Sequence, residues 1–188
     1  MKIVHLIAGI ALSATPSLAE ETTQLDAHEH GVGQLNIAFD ENKIAMELHA
    51  PGADIVGFEY GAKSDVDLAA IDAALQTLSD PLGLFLIPEA ASCIVITAHA
   101  KLESEDSDHD DHDEEGHDDH DKAPGHTEFH AEYLLECANL TEISAITFSY
   151  FEIFPNALEL EVQVISDKGA TAFEIERDVA KLDLRGIF

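Results

Sequence analysis

Hydrophobic and polar residues alternate with a period of two over several stretches of this 188-residue chain. Such alternation is typical of β-strands that bury one face. Residues 34–39 and residues 44–48 both show it, and a polar turn at residues 40–43 separates them. The two stretches predict a β-hairpin near the start of the folded part.

Further stretches have the alternation or the β-branched composition of strands. They are residues 93–100, 128–137, 143–154 and 158–164, and a segment around Phe173 and Ile175. Residues 179–184 could add a short last strand. Together with the hairpin, these stretches predict about seven strands.

One stretch has the spacing of an amphipathic helix instead. Its apolar positions are Leu68, Ile71, Leu75 and Leu78. Ser64 stands three residues before Asp67, which is the spacing of a capping box, and Pro81 limits the other end. We therefore predict a helix over residues 65–79 and an α+β fold, a single and mostly antiparallel β domain with one clear helix.

Residues 103–122 interrupt this pattern with a charged run that contains no apolar side chain. The run holds twelve carboxylates and four histidines, which are His109, His112, His117 and His120. Because it has no apolar surface to bury, it cannot offset the entropy lost on ordering. We predict a disordered His/Asp-rich insert over residues 103–126, which divides the folded domain into residues 20–102 and 127–188.

The insert carries the ligand types of a transition-metal site. Imidazole nitrogen and carboxylate oxygen bind Zn²⁺, Ni²⁺ and Cu²⁺, and the unit His-Asp-Asp-His occurs twice in the run. The run has no Met or Cys, which argues against Cu(I), and a Ca²⁺ site would not need imidazole. Zinc fits best, with Ni²⁺ or Cu²⁺ as alternatives. A different interpretation is a secreted acidic interaction module, in which the run gives solubility or docks a basic protein.

Two cysteines, Cys93 and Cys137, flank the insert. An even pair of cysteines in an exported protein predicts a disulfide. The bridge would close a loop around the insert and contribute on the order of 4 kcal/mol in the chain-entropy model. The disulfide could crosslink the two strands at the base of a second hairpin, or it could join two layers of the fold. A metal site made of both thiolates is the alternative.

Residues 1–19 have the features of a secretory signal peptide. Lys2 precedes an apolar run, and a small-x-small pattern ends at Ala19, after which we expect cleavage. The run is too short for a permanent anchor, and no later segment is apolar enough to span a bilayer. In a bacterium these features predict a periplasmic protein. The formal net charge of −29 excludes nucleic acids as partners and favours cations.

A metal site is also predicted in the folded part. His28 and His30 lie two residues apart, so their side chains leave the same face if this segment is extended. Continuing the register of the hairpin places Asp54 roughly opposite them, and Glu59 follows in the next loop. We predict a site formed by His28, His30 and one of Asp54 or Glu59. Surface histidines that bind no ion are the alternative.

The other histidines have less distinctive positions. His126 and His130 follow the insert and could close a site with it. His49 and His99 lie in predicted strands, where a lone histidine is more often a half-buried residue than a ligand.

The chain has no signature of an enzyme. It contains neither a Gly-x-Ser-x-Gly elbow nor a His-Glu-x-x-His motif. A flexible insert could not hold a catalytic ion within the tolerance that chemistry requires. We therefore predict a binding protein.

Several motifs resemble those of the ZrgA-type periplasmic zinc-uptake proteins of Gram-negative bacteria. The motifs are His-Glu-His-Gly at residues 28–31, residues 50–59, Ala-Ser-Cys at residues 91–93, the insert, the strand 129–137, Phe154-Pro155 and Val162-Gln163. Relatives tend to carry His after Gly-Phe-Glu, where this chain has Tyr60. If that position supplies a ligand in relatives, the ordered site here is weaker or differently composed.

The resemblance implies a periplasmic protein that captures Zn²⁺ and assists high-affinity zinc import beside an ABC-type importer. A metal buffer or detoxification protein would carry the same insert and have no transporter partner. Both interpretations predict that the insert binds zinc at several exchangeable positions. The uptake interpretation adds that the folded part holds one ion more tightly and presents it to the transporter.

Overall fold

Strands are the commonest secondary structure in the described part of the chain. The computed structural model describes residues 29–104 and 126–187. The strands of this part are β1 (Val32–Asp40), β2 (Lys43–Pro51), β3 (Phe85–Leu86), β4 (Cys93–Ser104), β5 (Thr127–Cys137), β6 (Ala145–Phe148), β7 (Glu159–Ser166), β8 (Gly169–Glu176) and β9 (Lys181–Asp183). Its helices are α1 (Gly52–Ile55), α2 (Asp65–Leu78), α3 (Pro81–Leu84) and α4 (Tyr150–Ile153), with 3-10 turns at Glu89–Ala91, Leu140–Glu142 and Arg177–Val179. None of these helices is long and apolar enough to cross a membrane.

The strands form two sheets. Six strands pair in the order β4-β5-β2-β1-β7-β8, and β3, β6 and β9 form the second sheet. The pairs are antiparallel except for β1 and β7, which run parallel. Side chains from both sheets and from α2 contribute to one hydrophobic core. The predicted α+β class with mainly antiparallel strands is confirmed, although the described residues contain more strands and short helices than the sequence pattern indicates.

The first hairpin has the predicted register. β1 and β2 pair Leu35 with Leu48 and Ile37 with Met46, and all four side chains are buried. Burying an aliphatic side chain of this size contributes about 1.5–3 kcal/mol. The hairpin is therefore held by the same alternation that predicted it.

The second hairpin consists of β4 and β5. Its base pairs Cys93 with Cys137, and these residues form the predicted disulfide. Its open end pairs Ser104 with Thr127. Residues 105–125, which contain most of the predicted insert, lie outside the described residues, as does the predicted signal peptide. The sheet thus holds the two ends of the insert side by side.

Helix α2 begins as predicted. The Ser64 hydroxyl accepts a hydrogen bond from the Asp67 amide, and the Asp67 carboxylate accepts one from the Ser64 amide. The helix packs against β4 and buries Ile71 and Leu78. The expectation that Leu68 joins this face is wrong, because the first turn of the helix lies outside the core and leaves Leu68 51% exposed.

The strand predicted within residues 143–154 is present but short, and the aromatic residues after it lie on a helical turn. Strand β6 ends at Phe148 and α4 follows. Tyr150, Phe151 and Phe154 are all buried, and side chains at this spacing share one side of the backbone only on a helical turn. The turn allows the aromatic side chains to pack together with Phe85.

Candidate metal centre

A turn before β1 positions His30. The amide of Val32 donates to the carbonyl of Glu29 at 3.1 Å, and Gly31 has a φ of +89°, which favours glycine. The segment is therefore a turn at His30, and the extended conformation expected for the His28–His30 pair is wrong at this residue. His28 lies outside the described residues.

Asp54 holds this turn against α1. Its Oδ1 accepts a hydrogen bond from the Gly31 amide at 2.8 Å. The side chain is buried, and its Oδ2 has no hydrogen-bond partner in the described part of the chain. Burial raises the pKa of Asp54, while the Gly31 amide and the nearby His30 oppose this shift. Asp54 therefore fixes the backbone next to His30.

The loop after α1 lies directly against the start of β5. A Cβ atom on Gly52 would lie 2.3 Å from Oγ1 of Thr127 and 2.7 Å from the carbonyl oxygen of Phe58. Only glycine permits this close approach. The contact brings Glu59, next to Phe58, towards His126, next to Thr127.

Glu59 joins two histidines at this place. Its Oε1 lies 3.0 Å from Nε2 of His30, and its Oε2 lies 2.8 Å from Nδ1 of His126. The Glu59 side chain is 14% exposed, whereas both imidazoles are largely exposed. We call His30, Glu59 and His126 the turn cluster. It offers two nitrogen donors and a carboxylate at the open surface, where an ion could enter.

A second group of ligand residues lies on the sheet. His49 of β2 pairs directly with His130 of β5, and Glu128 stands two residues before His130. One ligand atom from each of these three residues lies within 4.8 Å of the others. Nε2 of His130 lies 2.5 Å from Oε2 of Glu128, and Nδ1 of His49 lies 3.5 Å from the same oxygen. We call these three residues the sheet cluster.

Further carboxylates surround the sheet cluster. Glu47 lies 3.3 Å from Nε2 of His49, and Glu103 lies 3.2 Å from Nε2 of His130. Glu128 itself is only 8% exposed. The hydrogen bond to Glu128 raises the pKa of His49, with a smaller contribution from Glu47, while burial opposes this shift. Two imidazoles among carboxylates are the ligand set that zinc accepts.

The structure sorts the predicted ligands into groups. His30, Glu59 and His126 come together, whereas Asp54 supports the turn. His130 does not join His126 and belongs to the sheet cluster. Five predicted ligands lie outside the described residues: His28, His109, His112, His117 and His120.

Two residues of the sheet cluster are missing from the sequence prediction. His49 is interpreted there as an ordinary strand residue, and Glu128 is not singled out. Both belong to the polar face of alternating strands, which is a signal in the sequence. The pairing of β2 with β5 was needed to place them together, because these strands are far apart along the chain.

The chain also matches a known protein family. Residues 27–184 match the family model described as "ZrgA family zinc uptake protein". No curated protein matches this chain. The matched range contains the turn cluster, the sheet cluster, the insert and the disulfide.

Proposed function

We propose, from the premise that this chain belongs to the ZrgA family of zinc uptake proteins, that it binds Zn²⁺ in the periplasm and passes it to an importer. The family match confirms the resemblance found in the sequence motifs. A role in zinc uptake follows from the family. The identity of the zinc ligands, the capture of zinc by the insert and the transporter partner go beyond the family match, and they are part of our proposal.

The turn cluster carries the proposal. Glu59 contacts His30 through one oxygen and His126 through the other. Two imidazoles from separate segments thus contact one carboxylate at the surface, and Zn²⁺ takes such ligands. His28 stands two residues before His30 and could complete the coordination.

The insert would collect the ion first. Its four histidines, His109, His112, His117 and His120, are spaced three and five residues apart among carboxylates, so several pairs could share an ion with carboxylate or water. Such sites exchange ions quickly and bind with moderate affinity. His126 directly precedes β5 at the end of the insert, which gives captured zinc a short route to the turn cluster.

Calorimetry with Zn²⁺ tests the binding part of the proposal. Three proteins are compared: residues 20–188, the same chain with residues 105–125 replaced by a short Gly-Ser linker, and the shortened chain carrying His30→Ala and His126→Ala. The shortened chain should bind fewer ions than the intact one, and the double substitution should remove one more. His99→Ala, on the exposed face of β4, is the matched control. Titrations with Ni²⁺ and Cu²⁺ rank the affinities of the protein for the three metals.

Two results would contradict the proposal. A shortened chain that binds no zinc would refute the ordered site, and an intact chain that binds none would leave the interaction module as the better interpretation. Zinc accumulation by cells that lack the gene tests the uptake step. It should fall in zinc-poor medium and stay normal in zinc-rich medium, whereas no change in poor medium would favour a buffer or detoxification protein.

A further inference from the structure

We propose that the sheet cluster, His49, Glu128 and His130, is a second ordered zinc site, separate from the turn cluster. This inference rests on the proposed function only in taking zinc as the ion. It assigns a ligand role to His49 and Glu128, and it gives His130 a place outside the insert.

The frame of this site is rigid. β2 and β5 are inner strands of the six-stranded sheet, and His49 and His130 are directly paired. Their neighbours Leu48 and Phe129 point into the core and are 0% exposed. Ligands on packed strands are held more accurately than ligands on loops. The backbone positions that carry the two imidazoles are therefore nearly fixed.

One of the two distances already suits a small tetrahedral ion. Zinc ligands at about 2.0–2.1 Å from the metal lie about 3.4 Å from one another in a tetrahedron. His49 Nδ1 and Glu128 Oε2 are 3.5 Å apart, close to that value. His130 Nε2 is 2.5 Å from the same oxygen, so it must move outward by about 1 Å.

The charges around the cluster favour a divalent cation. Glu128 lies on the polar face of β5, is only 8% exposed, and contacts both imidazoles. Glu47 and Glu103 contact the two imidazoles and add negative charge. Lys101 pairs with Glu103, which leaves the carboxylates in excess. Zinc bound between Glu128 and the imidazoles would add positive charge to this carboxylate-rich group.

The two ends of the insert lead to different clusters. Glu103, in the last residues of β4, lies 3.2 Å from His130 of the sheet cluster. His126, just before β5, lies 2.8 Å from Glu59 of the turn cluster. An ion carried by the insert could therefore be handed to either cluster. Glu103 is the nearest candidate for a fourth ligand of the sheet site.

The test counts tightly bound ions in the full mature chain. The four insert histidines are first changed to Gln, which removes the insert's imidazoles and keeps its length. Zinc is then titrated in competition with a chelator, and Co²⁺ absorption reports tetrahedral coordination. We expect two ions. His49→Ala with His130→Ala should remove one of them, and His30→Ala with His126→Ala should remove the other. His99→Ala is the control.

Milder variants guard against loss of folding. Glu128→Gln keeps the shape of the side chain and removes a proposed ligand. Loss of a group that only contacts a ligand typically weakens metal affinity by roughly 10–100-fold, and we expect the zinc affinity of the sheet site to fall by more than that. Glu103→Gln should weaken the same site by about 10-fold. Circular dichroism confirms that each variant is folded.

Each outcome decides the question. Two ions retained by the His49/His130 variant, or by Glu128→Gln with unchanged affinity, would overturn the inference. If His30/His126 substitution removes nothing while His49/His130 substitution removes an ion, the turn cluster is wrong and the sheet site stands. No tightly bound zinc in the parent protein would refute both sites.

Discussion

Asp54 shows how one buried carboxylate can hold the backbone beside the turn cluster. Its Oδ1 accepts the Gly31 amide at 2.8 Å, and burial is the main cause of its raised pKa. The native state therefore holds a proton on Asp54 more tightly than the unfolded chain does. Stability from this group is fully present below the ordinary aspartate pKa of about 3.9 and is lost as the pH rises through the raised value.

Asp54→Asn should remove this pH dependence. The variant keeps an acceptor for Gly31 and carries no charge, so it does not lose that stability at neutral pH. The free energy of unfolding of Asp54→Asn relative to the parent should increase from pH 3 to pH 7, measured by urea unfolding with EDTA present. Asp54→Ala leaves the Gly31 amide without its acceptor and should cost about 1–3 kcal/mol. A difference between Asn and parent that stays constant with pH would contradict this account.

At the scale of elements, the loop from α1 to Glu59 positions the turn cluster. Gly52 allows this loop to touch the first residue of β5, because any Cβ there would overlap Oγ1 of Thr127. The Asn156 amide also donates to the carbonyl of Ala53 at 3.1 Å. The position of Glu59 therefore depends on the packing of α1.

Gly52→Ala should loosen this element. The extra methyl group has no space, and overpacking of this kind typically costs about 1–3 kcal/mol. The same shift should weaken zinc binding at the turn cluster. Gly61→Ala is the matched control, because a Cβ at Gly61 meets no atom within 4 Å, and its stability should change by less than about 0.5 kcal/mol. Equal stability of both variants in urea would show that the α1 contact is unimportant.

The disulfide stabilises the second hairpin at the end opposite the insert. Cys93 and Cys137 are paired at its base, and Glu103 pairs with Glu128 near its open end. Cys93→Ser with Cys137→Ser should lower the free energy of unfolding by about 2–4 kcal/mol. Where this variant is still folded, its zinc stoichiometry should equal that of the parent. Unchanged stability would contradict the structural role, and loss of zinc from the folded variant would indicate that the bridge also shapes the sites.

The pattern of neighbouring residues predicted most strands and the long helix. The features that it missed depend on contacts between residues far apart in the sequence. The hairpin of β1 and β2 and the capping box at Ser64 follow from neighbouring residues, and the disulfide follows from the even number of cysteines. The turn at His30 depends on Asp54, and the helix α4 depends on how aromatic side chains share the core. The sheet cluster needs the register of β2 against β5, which one sequence does not contain.

At the scale of the whole molecule, a strongly acidic chain presents two ordered histidine clusters at the two ends of one insert. The net charge of −29 attracts cations from a distance. The fold brings Glu103 to His130 and His126 to Glu59, so each end of the insert is attached to one cluster. In the function we propose, this arrangement links collection of zinc by the insert to retention of zinc by the folded part.

The zinc content of the mature chain after dialysis tests this link most directly. The parent is compared with a variant in which His109, His112, His117 and His120 are all Gln, and metal is measured by elemental analysis. The account predicts that the variant retains fewer ions than the parent and still retains the ions of the ordered clusters. An unchanged number would contradict capture by the insert, and a number of zero would contradict the ordered sites.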